Sequence, residues 1–277
     1  MNQTNVYRYG MSMIGTVLAC TIAGCSPAPK KAFTPKSAPV AIHHPIPVKK
    51  NIRKVCATKP TVVAVLDTGL TLPPVYSNVN LCKFGHRNFT QVVDVNQLKG
   101  FHDPIPVDNH GHGTNVVGLI GKYAGNTNYC IVVIKYYDPR DINAHNLSNT
   151  VKAINYATNI GAKYINYSGG GIEMSNDESA AVKRFIDKGG TFIAAAGNEG
   201  SDLSTLGYYP AMDDKRVIVV GSVNKYGTVE SYSNYGERVN RYEEGTDQVG
   251  LGITMSGTSQ AAAIATGKII NEQECDK

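Results

Sequence analysis

Two stretches limit what this chain can fold into: Thr61–Leu66 (TVVAVL) and Ile131–Tyr136 (IVVIKY). Each is an almost unbroken apolar run of strand length. Such a run can satisfy its side chains only if both faces of the strand are covered. What lies between and after them supplies the cover. Residues 151–160 place apolar side chains at 151, 154, 157 and 160, with Ser148 and Asn149 before them and Gly161 after them. That pattern predicts a capped amphipathic helix. Ser175-Asn176-Asp177-Glu178 is a capping-box pattern that opens a second helix through Val182, Phe185 and Ile186, ending at Gly189-Gly190. Further strands are predicted at 162–167, 191–195 and 217–223. Strands alternating with helices predict an α/β fold. Its core would be a three-layer, doubly wound, mostly parallel sheet with helices on both faces. In such sheets the functional groups gather at the carboxyl ends of the strands.

Charge is distributed unevenly. The 277 residues hold 27 Lys+Arg against 22 Asp+Glu, a net charge of +5. Residues 1–60 contain nine of the basic residues and no acidic one. The remainder is therefore slightly acidic, which argues against a nucleic-acid-binding body. The basic excess sits in an arm rich in Pro and Lys, a composition that suits an extended tether rather than a core. His43 and His44 within it read as solvated linker residues. Ahead of the arm, residues 11–24 (MSMIGTVLACTIAG) form an apolar run too short to span a bilayer and suited to a secretory signal. Its end, Ile22-Ala23-Gly24-Cys25, resembles the lipobox of bacterial lipoproteins, in which the cysteine becomes the lipidated first residue. The expected organisation is a signal peptide at 1–24, a lipid-anchored tether at 25–60 and a folded body at 61–277. This makes the protein exported and held at the cell envelope, on the outer-membrane or periplasmic face, through Cys25.

Four motifs follow strands or open helices. Asp67-Thr68-Gly69 ends the first apolar run. Gly111-His112-Gly113-Thr114 precedes Val116, Val117, Leu119 and Ile120 at helical spacing. Ala194–Gly200 (AAAGNEG) follows a buried strand and carries Asn198. Ser256-Gly257-Thr258-Ser259 precedes an alanine-rich helix, whose N-terminus favours developing negative charge. Each motif alone is compatible with a turn or a helix cap. His110 and His112 alone could also suggest a metal, but no third ligand stands near them in the sequence.

Together the motifs carry more. The order Asp, His, Asn, Ser matches subtilisin and differs from chymotrypsin and the α/β-hydrolases. The segments VVAVLDTG (62–69), GHGTNVVG (111–118), INYSGG (165–170), FIAAAGNEG (192–200), SYSNYG (231–236) and SGTSQAA (256–262) are similar, in order, to those of the subtilisin-like serine proteases. The resemblance implies a serine endopeptidase with Asp67 as the acid, His112 as the base, Ser259 as the nucleophile and Asn198 as an oxyanion donor. It also implies that Ser168, Gly169, Gly170, Ala195, Ala196 and Gly197 flank the substrate. Glycines there without a charged floor suggest broad or apolar specificity. The partners implied are protein or peptide substrates and the membrane, with no nucleic acid, and the chain is expected to be a monomer. No metal or organic cofactor is required. The stretch from Gly121 to Cys130 leaves little room for the calcium loop common in the family, so structural calcium is not indicated.

The chain also departs from the family's usual pattern. Asn115 stands where a histidine is common, and Gln260, Ala263 and Ile264 replace Met, Pro and His after the nucleophile. The family's folded propeptide has no counterpart in residues 26–60. A catalytically silent binding protein on the same fold is the alternative reading. The fold resembled also implies disulfides between Cys82 and Cys130 and between Cys56 and Cys275.

Overall fold

A computed structural model describes residues 59–71, 79–92, 103–141 and 146–273. Cys25, Cys56 and Cys275 lie outside the described residues, as do the signal and almost all of the tether.

The elements in chain order are β1 (Thr61–Asp67), β2 (Arg87–Asn88), α1 (His112–Ala124), β3 (Tyr129–Lys135), α2 (Asn146–Asn159), β4 (Tyr164–Tyr167), α3 (Asn176–Asp187), β5 (Thr191–Ala195), β6 (Ile218–Val223), β7 (Arg241–Glu244), β8 (Gln248–Gly250), β9 (Ile253–Met255) and α4 (Thr258–Gln273). Seven strands form one sheet in the order β2-β3-β1-β4-β5-β6-β7, with every pair parallel. The chain therefore winds outward from β1 in both directions, as the alternating pattern predicts.

The two apolar runs lie side by side in this sheet, Thr61–Asp67 opposite Tyr129–Lys135. Their alternate residues feed two cores. Val63, Val65, Ile131 and Val133 pack with Val116, Val117, Leu119 and Ile120 of α1 and with the alanines of α4. Ala64, Leu66, Val132 and Ile134 pack with Ala153, Ile154 and Ala157 of α2 and with Ala181, Val182 and Phe185 of α3. Each strand is covered on both faces, which is why it reads as continuous apolar sequence rather than as an alternation. Helix α4 is small-residued because it is enclosed: a Cβ at Gly267 would lie 2.8 Å from the Ile120 carbonyl oxygen of α1.

Ser175 caps α3, its hydroxyl accepting from Glu178 N at 3.3 Å. Helix α2 departs from its predicted start. It begins at Asn146, so Ser148 and Asn149 sit inside the first turn and do not cap it. Asn149 is buried, and its Nδ2 donates to the Tyr136 carbonyl at 3.4 Å, so tertiary contact has taken over the side chain that local sequence assigned to a cap. Strand β4 also begins two residues late, because Ala162 N still bonds back to Ala157 O at 3.0 Å in the turn that ends α2. A disulfide joins Cys82 to Cys130, at the start of β3, with Cα atoms 4.9 Å apart. Among the described residues no helix is long and apolar enough to cross a membrane.

Candidate active site

Asp67 is the last residue of β1 and His112 the first of α1. The two backbones meet through glycines. A Cβ on Gly69 would lie 2.7 Å from the Pro106 carbonyl oxygen, at a φ of +114°, and one on Gly113 would be driven into the Gly69 carbonyl. Only glycine permits so close an approach. It brings His112 Nδ1 to 2.7 Å from Asp67 Oδ1. Asp67 is 3% exposed and also accepts from Thr68 N at 2.8 Å. Burial pulls the pKa of the His112 imidazole down, but the charge and hydrogen bond of Asp67, with a smaller contribution from Asp108, outweigh it. The net pKa lies above the ordinary histidine value. His112, not His110, sits on the carboxylate.

Asp108 organises this corner. Its Oδ1 accepts from Thr68 Oγ1 at 2.9 Å, His110 N at 2.9 Å and Gly111 N at 2.8 Å. Its Oδ2 accepts from Thr114 N at 2.8 Å and Thr114 Oγ1 at 2.6 Å. Burial pushes its carboxyl pKa up, yet these donors prevail and hold it below the usual carboxylate range. Gly113 N, another free N–H of the first turn, goes to Thr68 Oγ1 at 2.9 Å. Asp108 and Thr68 together satisfy the helix end that Gly111, without a side chain, cannot cap. Below them the fully buried Lys135 is paired with Asp138 Oδ2 at 2.8 Å and donates to Val107 O at 2.6 Å, fixing the segment that delivers Asp108.

Ser259 is the second residue of α4, so its N–H has no acceptor within the helix. Its Oγ donates to the Ser168 carbonyl at 2.9 Å, and Ser168 Oγ donates back to the Ser259 carbonyl at 2.9 Å. No hydrogen bond joins Ser259 Oγ to His112 in this structure. Ser168 is held in turn by Asn166, whose Nδ2 donates to Ser168 Oγ at 2.9 Å while its Oδ1 accepts from Thr266 Oγ1 at 2.8 Å. Asn198 follows β5. Its Oδ1 accepts from Thr258 N at 2.9 Å and Thr258 Oγ1 at 3.1 Å. With the oxygen occupied by the residue next to Ser259, the amide nitrogen is left to donate elsewhere. Ala195 ends β5, and Ala196, Gly197 and Gly170 continue from the ends of β5 and β4 beside this serine.

A carboxylate–imidazole pair, a serine at a helix start and an oriented amide thus lie at the carboxyl ends of β1, β4 and β5, which are neighbours in the sheet. The model of the subtilase family matches residues 58–270. The chain belongs to the subtilase family. It is 32% identical over 223 residues to a thermophilic serine proteinase of Bacillus sp. (strain AK1), covering 74% of this chain and 50% of that one. It is 30% identical over 217 residues to subtilisin DY of Bacillus licheniformis, covering 74% of this chain and 73% of that one. Its fold is similar to a cold-adapted subtilisin-like serine proteinase, with a TM-score of 0.57, 25% identity and coverage of 80% and 78% of the two chains. It is also similar to the epidermin leader peptide processing serine protease of Staphylococcus aureus, with a TM-score of 0.63, 20% identity and coverage of 78% and 65%. This subtilase spans about half the length of the thermophilic proteinase it matches.

Three site residues escaped the sequence reading. Asp108 lay four residues before His112, in a polar loop where a lone aspartate carries no signal. Thr258 reads in sequence only as part of the serine motif. Asn234 lies within SYSNYG, where the sequence alone gives it no role. It is fully buried and accepts from Glu199 N at 3.2 Å and Ser201 N at 3.0 Å, while donating to Ala196 O at 2.8 Å and Glu199 Oε2 at 2.7 Å. It braces the loop that presents Asn198. Among the described residues no three His, Cys, Asp or Glu side chains cluster so as to hold a metal ion.

The two departures at Asn115 and Gln260 turn out to be one feature. Gln260 Nε2 donates to Asn115 Oδ1 at 3.0 Å, and Asn115 Nδ2 donates to Gln248 O at 3.0 Å and Ile253 O at 2.7 Å. Both side chains are buried, so this subtilase ties α1, α4 and the β8–β9 hairpin together through a polar pair. Asn115→Ala and Gln260→Ala should each destabilise the fold by about 1–3 kcal/mol, since each strands a buried partner. The double variant should fall short of the sum by about 0.5–2 kcal/mol in denaturant unfolding. Strict additivity would show that the pair is not coupled.

Proposed function

We propose that this subtilase is a serine endopeptidase that works through Asp67, His112 and Ser259 and is tethered to the bacterial cell envelope through a lipidated Cys25. The observation that carries the catalytic reading is the 2.7 Å hydrogen bond from His112 Nδ1 to a buried carboxylate. It fixes the imidazole as the tautomer whose other nitrogen can accept a proton. On substrate arrival Ser259 Oγ gives up its bond to the Ser168 carbonyl and transfers its proton to His112 as it attacks the peptide carbon. The carbonyl electrons move to the oxygen, which takes hydrogen bonds from Asn198 Nδ2 and Ser259 N–H. His112 then protonates the leaving amine as the C–N bond breaks. Water, activated by the same imidazole, releases the acyl group and restores Ser259. The open serine–histidine geometry is in keeping with a resting site, where such bonds are often unmade.

The signal-like run, the lipobox-like string at residues 22–25 and the basic arm behind it support the tether. A multiply acylated cysteine anchors stably, and each Lys or Arg near an anionic surface adds up to ~1 kcal/mol. A fluorophosphonate probe applied to cells making the full chain tests both halves. The adduct should map to Ser259, and the labelled band should sediment with membranes. An unlabelled chain, or an adduct elsewhere, removes the catalytic reading, and a labelled band in the soluble fraction removes the tether.

A further inference from the structure

The ends of β4 and β5 bracket Ser259. Ser168 is bonded to it in both directions, and Gly197 N donates to Thr258 Oγ1 at 3.1 Å. β4 and β5 are parallel neighbours, Tyr167 opposite Ala194. A peptide whose carbonyl is poised over Ser259 Oγ, with its oxygen toward Asn198, must send the side chain on its acyl side into the crevice between these two strand ends. Both walls are lined with glycine, at Gly170 and Gly197. That is why the sequence suggests an open, accommodating pocket.

The space is taken. A Cβ built on Gly197 would lie 2.8 Å from Tyr208 Cε2, and one on Gly170 would lie 2.9 Å from Tyr208 Cζ and closer still to Cε1. Opposite edges of one phenol ring therefore touch the two walls. Gly170 makes room for the protein's own tyrosine, and Gly197 makes room for that ring together with Asn234 Nδ2 and Glu199 Oε2, which lie nearer still. The ring is also held firmly. Gly171 and Tyr209 exchange backbone hydrogen bonds at 2.9 and 2.7 Å, Met212 N donates to Tyr208 O at 3.0 Å, and Tyr208 is 8% exposed. These bonds fix the backbone beneath the ring, so it could leave only by rotating its side chain, which would expose a buried aromatic ring.

We infer that Tyr208 floors the primary specificity pocket of this site and restricts it to small side chains, so that the residue before the scissile bond is Ala, Ser or Gly. This rests on the catalytic reading above and narrows its substrate class from broadly apolar to small. Close-packed interiors do not admit extra atoms without strain, so a phenyl group cannot share the crevice with the phenol.

The test compares peptide substrates that differ only at the residue before the scissile bond. Wild type should show kcat/KM for Ala at least about tenfold above that for Phe, the scale on which a hydrophobic pocket separates side chains of different size. Tyr208→Gly should shift the Phe-to-Ala ratio upward by about 100-fold, and Tyr208→Phe, which keeps the ring, should retain the wild-type ratio. A wild type that favours Phe, or a Tyr208→Gly ratio that does not move, overturns the inference. Should the glycine variant not fold, the wild-type ratio alone decides. Fluorophosphonate labelling on the same samples separates the two readings. No adduct on Ser259 in wild type sinks both, whereas an adduct together with a Phe preference sinks only this one.

Discussion

Asp67→Asn is expected to lower kcat by about 10⁴, the loss this substitution causes in a trypsin-like triad. The cause is tautomeric. Asp67 Oδ1 accepts from His112 Nδ1 at 2.7 Å, so the proton stays on Nδ1 and the other ring nitrogen is free to act as base. An asparagine amide turned toward Nδ1 donates instead, and the imidazole then carries its proton on the wrong side. The same change has a second signature. Burial lowers the pKa of His112, and the Asp67 charge and hydrogen bond more than reverse this. The base must be neutral, so the rate falls as pH drops through that raised value, and the acid limb of the wild-type kcat/KM profile should lie above 6.5. Without the Asp67 charge the effect of burial is opposed mainly by Asp108, and the limb should move to lower pH. Residual activity within tenfold of wild type, or a limb that stays or rises, would contradict the assignment of Asp67.

Asn198→Ala is expected to reduce kcat by about 10²–10³ with KM little changed, a magnitude taken from subtilisin itself. The argument comes from what holds the amide. Thr258 N and Thr258 Oγ1 both donate to Asn198 Oδ1, at 2.9 and 3.1 Å. The nitrogen is therefore oriented before any substrate arrives, and it has no reorganisation to undergo as the oxyanion forms. An interaction made only when charge develops appears in kcat rather than in KM. A KM rise with unchanged kcat would instead make Asn198 a ground-state contact.

Much of this architecture was legible because it depends on local pattern. The buried runs at 61–66 and 131–136 demanded a covered sheet, and Ser175 announced α3. The motifs around Asp67 and His112 stood out at a strand end and a helix start, though only the fold shows that their glycines let two backbones touch. What escaped depends on residues distant in sequence. Asn149 reads as a cap and serves Tyr136. Asp108 and Asn234 do their work through loop N–H groups that no periodicity reveals. The β8–β9 strands are three residues each and owe their place to Asn115. Tyr208 reads as an ordinary tyrosine in a polar stretch, and only the fold brings it against Gly170 and Gly197. In sequence the glycines suggest open space, and the occupant is visible only in the fold.

The Cys82–Cys130 bond closes a loop with a sequence separation of 48 that contains Asp108, His112 and all of α1. In the chain-entropy account, a cross-link over that span removes about 4 kcal/mol of freedom from the unfolded chain. That is about a thousandfold fewer unfolded molecules at equilibrium. For the endopeptidase proposed above, unfolded copies of itself would be substrate, and digestion through transient opening follows their population. The cross-link lies at the opposite end of β3 from the proposed active site, yet it would set how long such a catalyst survives among its own kind.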